Sequence, residues 1–157
     1  MIKIFISYFF LCSFNFIYAE EYGLSTGYKL PRFVSLKSNE VNLRVGSSRN
    51  YPIILKYISK NLPVEIVDEN NTWRKIRDIE GNEGWILEGL LQGDRYAIIN
   101  QSYIPSVQIF SHPEGRVIGK IGKKNIVKIN SCLTNWCKIE YKEYRGWINK
   151  RNLWGVY

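Results

Sequence analysis

Histidine is nearly absent from this chain of 157 residues: His112 is the only one. Cysteine is scarce too, with Cys12, Cys132 and Cys137 alone. A zinc site draws four ligands, commonly from Cys and His, and a thiol nucleophile needs a basic partner, so these numbers argue against both. Neither a Gly-x-Ser-x-Gly nor a P-loop motif occurs. Asp78, Glu80 and Glu83 lie close together, and paired carboxylates can do acid–base work. They fall in a turn, however, where acids serve solubility and turn geometry. With no constellation to assign to catalysis, the chain is expected to be no enzyme and to take no cofactor. Also missing are a convincing amphipathic helix and any basic run longer than two residues.

What is present begins at the N-terminus. Met1-Ile2-Lys3 carries one positive charge, Ile4 to Tyr18 is almost wholly apolar and aromatic, and Ala19 precedes Glu20-Glu21. That is the pattern of a secretory signal peptide over residues 1–19, cleaved after Ala19 or nearby. The apolar stretch is shorter than the roughly 20 residues a membrane-spanning helix needs, so no stable membrane span is expected after cleavage. Export to a periplasm follows as the expected localisation. Cleavage removes Lys3 and no acid, which lowers the formal charge of +8 by one. It also removes Cys12, and two remaining cysteines in an exported protein imply one disulfide, Cys132–Cys137. The two flank Leu133-Thr134-Asn135-Trp136, where a hairpin turn would bring their Cβ atoms within reach.

The rest of the chain repeats itself. Trp73-Arg74-Lys75-Ile76 runs through a polar turn into Gly84-Trp85-Ile86. Trp136-Cys137-Lys138-Ile139 runs through another into Gly146-Trp147-Ile148. Each is a β-hairpin signal, and a repeat at this period marks two small modules. Short runs of alternating apolar residues fill the remainder, as in Val41, Leu43 and Val45. Val107 to Phe110 stands where Val41 to Arg44 stood, and Cys132 and Cys137 stand where Glu69 and Arg74 stood. The fold class is therefore all-β. Residues 20–31 form a flexible lead-in, 32–95 a first domain and 96–157 a second. Trp85 and Trp147 are expected to pack inside or between the modules.

Val41-Asn42-Leu43-Arg44-Val45-Gly46-Ser47-Ser48, followed by Tyr51-Pro52-Ile53-Ile54, resembles the opening motif of bacterial SH3-like domains. The Trp-x-Lys-Ile…Gly-Trp-Ile segment resembles that family's other hallmark, present twice. The second half is similar to exported tandem SH3-like proteins of Gram-negative bacteria. The resemblance implies two small SH3-like barrels in tandem, with exposed aromatics near their loops. It further implies a role such as cell-wall targeting, although this fold serves many ligands.

Aromatic and basic side chains are the candidate binding residues. Trp73, Trp136, Tyr51, Tyr57 and Tyr141 could form a platform for an extended peptide or a glycan. Arg74, Arg77 and Arg145 would supply positive charge to it. Filling two small cores is the competing use of the same rings. Basic residues interleaved with aromatics would also suit a nucleic-acid groove, but export argues against that partner. The expected partner is peptidoglycan or its peptide stems. The alternative is an adaptor that holds an envelope protein through a barrel groove.

Overall fold

A computed structural model describes residues 20–100 and 105–157. The expected signal peptide, residues 1–19, lies outside the described residues. The first half contains β1 (Glu21–Tyr22), β2 (Lys29–Leu30), β3 (Arg32–Leu36), β4 (Val41–Arg44), β5 (Ile53–Tyr57), β6 (Pro63–Asn70), β7 (Trp73–Arg77), β8 (Glu83–Leu87) and β9 (Leu91–Gln92). The second contains β10 (Tyr96–Ile99), β11 (Ser106–Phe110), β12 (Val117–Gly122), β13 (Ile126–Cys132), β14 (Trp136–Tyr141), β15 (Tyr144–Asn149) and β16 (Leu153–Trp154). One 3-10 turn precedes the last strand of each half, Glu88–Leu90 and Lys150–Asn152. The all-β expectation holds.

The repeat is exact at the level of pairing. One seven-stranded sheet runs β5-β4-β8-β7-β6-β3-β9 and the other β12-β11-β15-β14-β13-β10-β16, the same order strand for strand. Arg44 faces Trp85 where Phe110 faces Trp147. Ile66 faces Ile76 where Ile129 faces Ile139. Even the bulges coincide, after Leu43 and Ile109 and again after Ile66 and Ile129. Period-two alternation puts Val41, Leu43, Val64, Ile66, Ile76 and Ile86 into one core. It puts Val107, Ile109, Val127, Ile129, Ile139 and Ile148 into another. Each fully buried aliphatic side chain of this kind contributes about 1.5–3 kcal/mol. The two cores are separate, one to each barrel.

Residues 20–31, expected to be a flexible lead-in, instead form the β1–β2 hairpin. The reason is Glu69, whose side chain is fully buried. It accepts hydrogen bonds from the Thr26 amide at 2.9 Å, the Thr26 hydroxyl at 2.8 Å and the Ser25 amide at 3.2 Å. Arg32 closes the group at 2.6 Å. Gly23 lies so near the Glu69 carboxylate that a side chain there would collide with it, and Leu30 joins the first core. In the sequence Glu69 looks like part of a polar turn. In the fold β6 runs on to Asn70, and the turn begins at Asn71 with φ 51°.

The barrels meet through the segment that leaves the second one. Phe33 of β3 packs edge-on against Trp154, ring centroids 5.1 Å apart, and lies 4.7 Å from the Tyr157 ring. The Tyr157 hydroxyl donates to Glu65 Oε1 at 2.8 Å. Trp154, rather than Trp85 or Trp147, is thus the tryptophan between the barrels.

Candidate functional site

The alternation that builds the cores also decides which aromatics face outward. On β7, Arg74 and Ile76 are buried while Trp73 and Lys75 are half-buried and Arg77 is exposed. On β14, Cys137 and Ile139 point inward, and Trp136, Lys138 and Glu140 lie on the outer face. In each Gly-Trp-Ile run it is Gly and Ile that turn inward. A Cβ at Gly84 would sit 2.7 Å from the Arg44 carbonyl, and one at Gly146 would sit 2.8 Å from that of Phe110 and run into Ile109. Close approach of the neighbouring strand therefore demands glycine, and Trp85 and Trp147 are left half-exposed on the outer face. This corrects their expected interior placement.

The candidate binding residues do not share one platform. Tyr57 is buried and donates its hydroxyl to Asp78 Oδ2 at 3.0 Å. Burial first, then the Asp78 charge and hydrogen bond, pushes its phenol well above the usual tyrosine range. It is a core residue. Arg74 is also buried, in a group with Glu69 and Glu88, and donates to the carbonyls of Asn71 at 2.6 Å and Trp73 at 3.0 Å. It too is structural and presents no charge to a ligand. Arg77 is exposed but bound to Glu83 at 2.8 Å, and Arg145 lies 3.3 Å from Glu140. Tyr141 packs against the second core and donates to Asn125 Oδ1 at 2.7 Å. Tyr51 is exposed on the β4–β5 loop, and Trp73 stands half-buried on the first barrel.

Tyr57 lines a pocket that also holds Asp78 and Glu80; Trp136 opens onto a groove without acids, and its companions there were not among the sequence candidates. Phe110 meets the Trp136 ring edge-on, centroids 5.1 Å apart. With Gln108, Lys120, Asn149 and Arg151 the two rings line a groove of about 490 Å³. Lys120 comes from β12, opposite Gln108 in register, and Asn149 is fixed by accepting from the Arg151 amide at 3.1 Å. No acidic residue lines the groove. Its chemistry is an edge-on aromatic pair, three side-chain amides (Gln108, Asn149 and Asn152) and two cations.

The first barrel lacks this combination. The position of Phe110 is held by Arg44, which donates to the Tyr51 carbonyl. The position of Lys120 is held by Lys56, paired to Glu40 at 2.7 Å. Asn149 and Arg151 correspond to Leu87 and Gly89. A cleft of about 570 Å³ between the barrels is also lined by cations, Lys29, Arg32 and Arg95. Two of them already hold ion pairs, Lys29 with Glu20 and Arg32 with Glu69. Among the described residues no group of three or more His, Cys, Asp or Glu side chains is placed to hold a metal ion, and no helix is long and apolar enough to cross a membrane.

Two barrels of identical strand order, each with its own core, define a tandem SH3-like protein. The bacterial SH3 domain family model matches residues 37–93 and 106–155, one match per barrel, and the chain belongs to that family of binding modules. No curated protein matches it. Among solved structures, NlpC1 from Trichomonas vaginalis is similar at 19% identity and TM-score 0.35, over 84% of this chain and 48% of that one. NlpC2 from the same organism matches at 19% and 0.35, over 81% and 49%. An NlpC/P60 family protein from Bacillus cereus ATCC 10987 matches at 11% and 0.35, over 78% and 55%. The chain spans about half the length of these structures.

Proposed function

We propose that this chain is an exported, non-catalytic binding module of the periplasm, and that it holds peptidoglycan through its peptide stems. The observation that carries the reading is the second-barrel groove, where Phe110 and Trp136 stand beside Lys120 and Arg151 with no acid in the lining. A peptide stem brings carboxylates for the two cations, amides for Gln108 and Asn149, and aliphatic side chains for the rings. Co-sedimentation with purified sacculi at low ionic strength tests it. The wild-type chain is expected to be retained, and retention is expected to fall as salt screens the cations. No retention at low salt overturns the proposal.

A second reading has its own support. The groove borders β12, which ends its sheet and pairs only with β11 among the described residues. An extended acidic segment of an envelope protein could add to that edge and reach the same cations. Binding of an acidic peptide that sacculi do not displace would favour this adaptor role.

A further inference from the structure

The tip of the β4–β5 hairpin in the first barrel exposes apolar side chains at an unusual density. Val45 is 55% exposed, Tyr51 49%, Ile53 49% and Ile54 52%. Exposed apolar residues gathered in this way mark an interaction surface. The tip is already ordered: Val45 donates to the Pro52 carbonyl at 3.1 Å and Tyr51 to that of Ser48 at 3.2 Å. Arg44 donates to the Tyr51 carbonyl at 2.7 Å, and the Tyr51 ring covers Gly46. Little conformational entropy remains to be lost there on docking.

Charge decides what docks. Residues 41–64 contain Arg44, Arg49, Lys56 and Lys60 and no Asp or Glu. The acids around this hairpin are engaged or set back from the tip: Glu40 pairs with Lys56, Asp78 and Glu80 border Leu55 and Ile58, and Glu69, next to the Asn70 that donates to Ser47, is buried with Arg32 and Arg74. A second copy would set one cationic tip against another, so self-pairing is disfavoured. The matching hairpin of the second barrel also exposes an aliphatic pair, Val117 and Ile118, at the positions of Ile53 and Ile54, but its loop contains Glu114, so the acid-free tip belongs to the first barrel. Apolar side chains flanked by Arg44 and Arg49, with no acid between residues 41 and 54, fit the interface of an anionic bilayer, where chains bury in the acyl boundary and cations meet phosphates. We infer that the Val45–Ile54 tip is a docking site for an anionic lipid surface. This rests on no property of the second-barrel groove.

The test is vesicle co-sedimentation of residues 20–157, which hold every described strand. Three arms are compared: phosphatidylglycerol–phosphatidylcholine vesicles, pure phosphatidylcholine vesicles and free glycerophosphate as competitor. Retention is expected on the anionic vesicles, with glycerophosphate competing poorly. Ile53→Ser/Ile54→Ser should reduce it by at least about tenfold, with folding checked by near-ultraviolet circular dichroism. Arg49→Glu, in an exposed loop, should reduce it without touching the apolar residues. Trp136→Ala should leave it unchanged, which separates this site from the groove. Equal retention on both vesicle types overturns the inference, as does retention that survives Ile53→Ser/Ile54→Ser in a folded protein. A concentration-dependent dimer abolished by the same double substitution also overturns it, because a second copy would then cover the tip.

Discussion

Glu69 faces Arg74 across the β6–β7 ladder at the register position that Cys132 and Cys137 occupy between β13 and β14. One barrel closes this point with a buried ion pair and the other with a disulfide. The difference has a structural use. A disulfide satisfies only itself, whereas Glu69 has further acceptor capacity, which Ser25, Thr26 and Arg32 fill. The ionic version therefore anchors the β1–β2 hairpin.

Removing Glu69 leaves Arg74 buried with less compensation. Glu69→Ala is expected to cost roughly 3–5 kcal/mol, the usual result of breaking a buried pair by taking one partner. Urea denaturation measures the cost, and hydrogen exchange should show the Ser25 and Thr26 amides losing protection first.

The same carboxylate gives the stability a pH dependence. Burial alone would raise the Glu69 pKa, but hydrogen bonds from Arg32 and Thr26 and the Arg32 charge outweigh it and hold the group below its ordinary value of 4.5. A carboxylate depressed in the folded state stabilises fully above its unfolded pKa, and that contribution is lost as pH falls through the folded one. Stability should thus be flat near neutrality and decline below about pH 4.5. Glu69→Gln should flatten that decline in pH-dependent denaturation curves.

The disulfide closes a short loop, with a sequence separation of 5. Chain-entropy reasoning then gives a contribution of about 2 kcal/mol. Thermal melts with and without a thiol reductant measure it. Reduction is the cleaner perturbation, since Cys137 is fully buried and a serine there would add a polar group to the core.

The two inward glycines make a steric prediction. Gly146→Ala forces a methyl group toward the Phe110 carbonyl and Ile109, which should cost about 1–3 kcal/mol by overpacking. Gly89→Ala has nothing within 4 Å and should stay within about 0.5 kcal/mol of the parent. Denaturant midpoints of the two variants separate the cases.

The twin tryptophans test which barrel binds. Trp136→Ala should lower sacculus retention by at least about tenfold, as loss of a central aromatic anchor does. Trp73→Ala, whose surroundings lack counterparts of Phe110 and Arg151, should change it by less than about twofold. Equal effects would assign binding to both barrels.

The sequence showed the repeat, the strands and the disulfide, because each is carried by local alternation or by a hairpin a few residues long. Orientation within the Gly-Trp-Ile run was not legible. Whether Gly or Trp turns inward depends on how closely β4 approaches β8, which no local pattern encodes. Arg74 and Tyr57 looked like surface residues because their partners Glu88 and Asp78 are 14 and 21 residues away. The groove draws Phe110, Lys120, Trp136 and Arg151 from four separate segments. One signal was available: Phe110 replaces Arg44 in the aligned repeat, an aromatic for a cation at an outward position.

The contact of Phe33 with Trp154 and Tyr157 changes how the tandem behaves as a whole. The peptide between the barrels, Gly93 to Arg95, is one connection, and this aromatic clasp is a second. The chain from Phe33 to Trp154 is thereby a closed circuit instead of two beads on a string. Opening one barrel pulls the clasp apart and costs the other its cover, so heat should melt both in a single transition, and Phe33→Ala should split that transition in two.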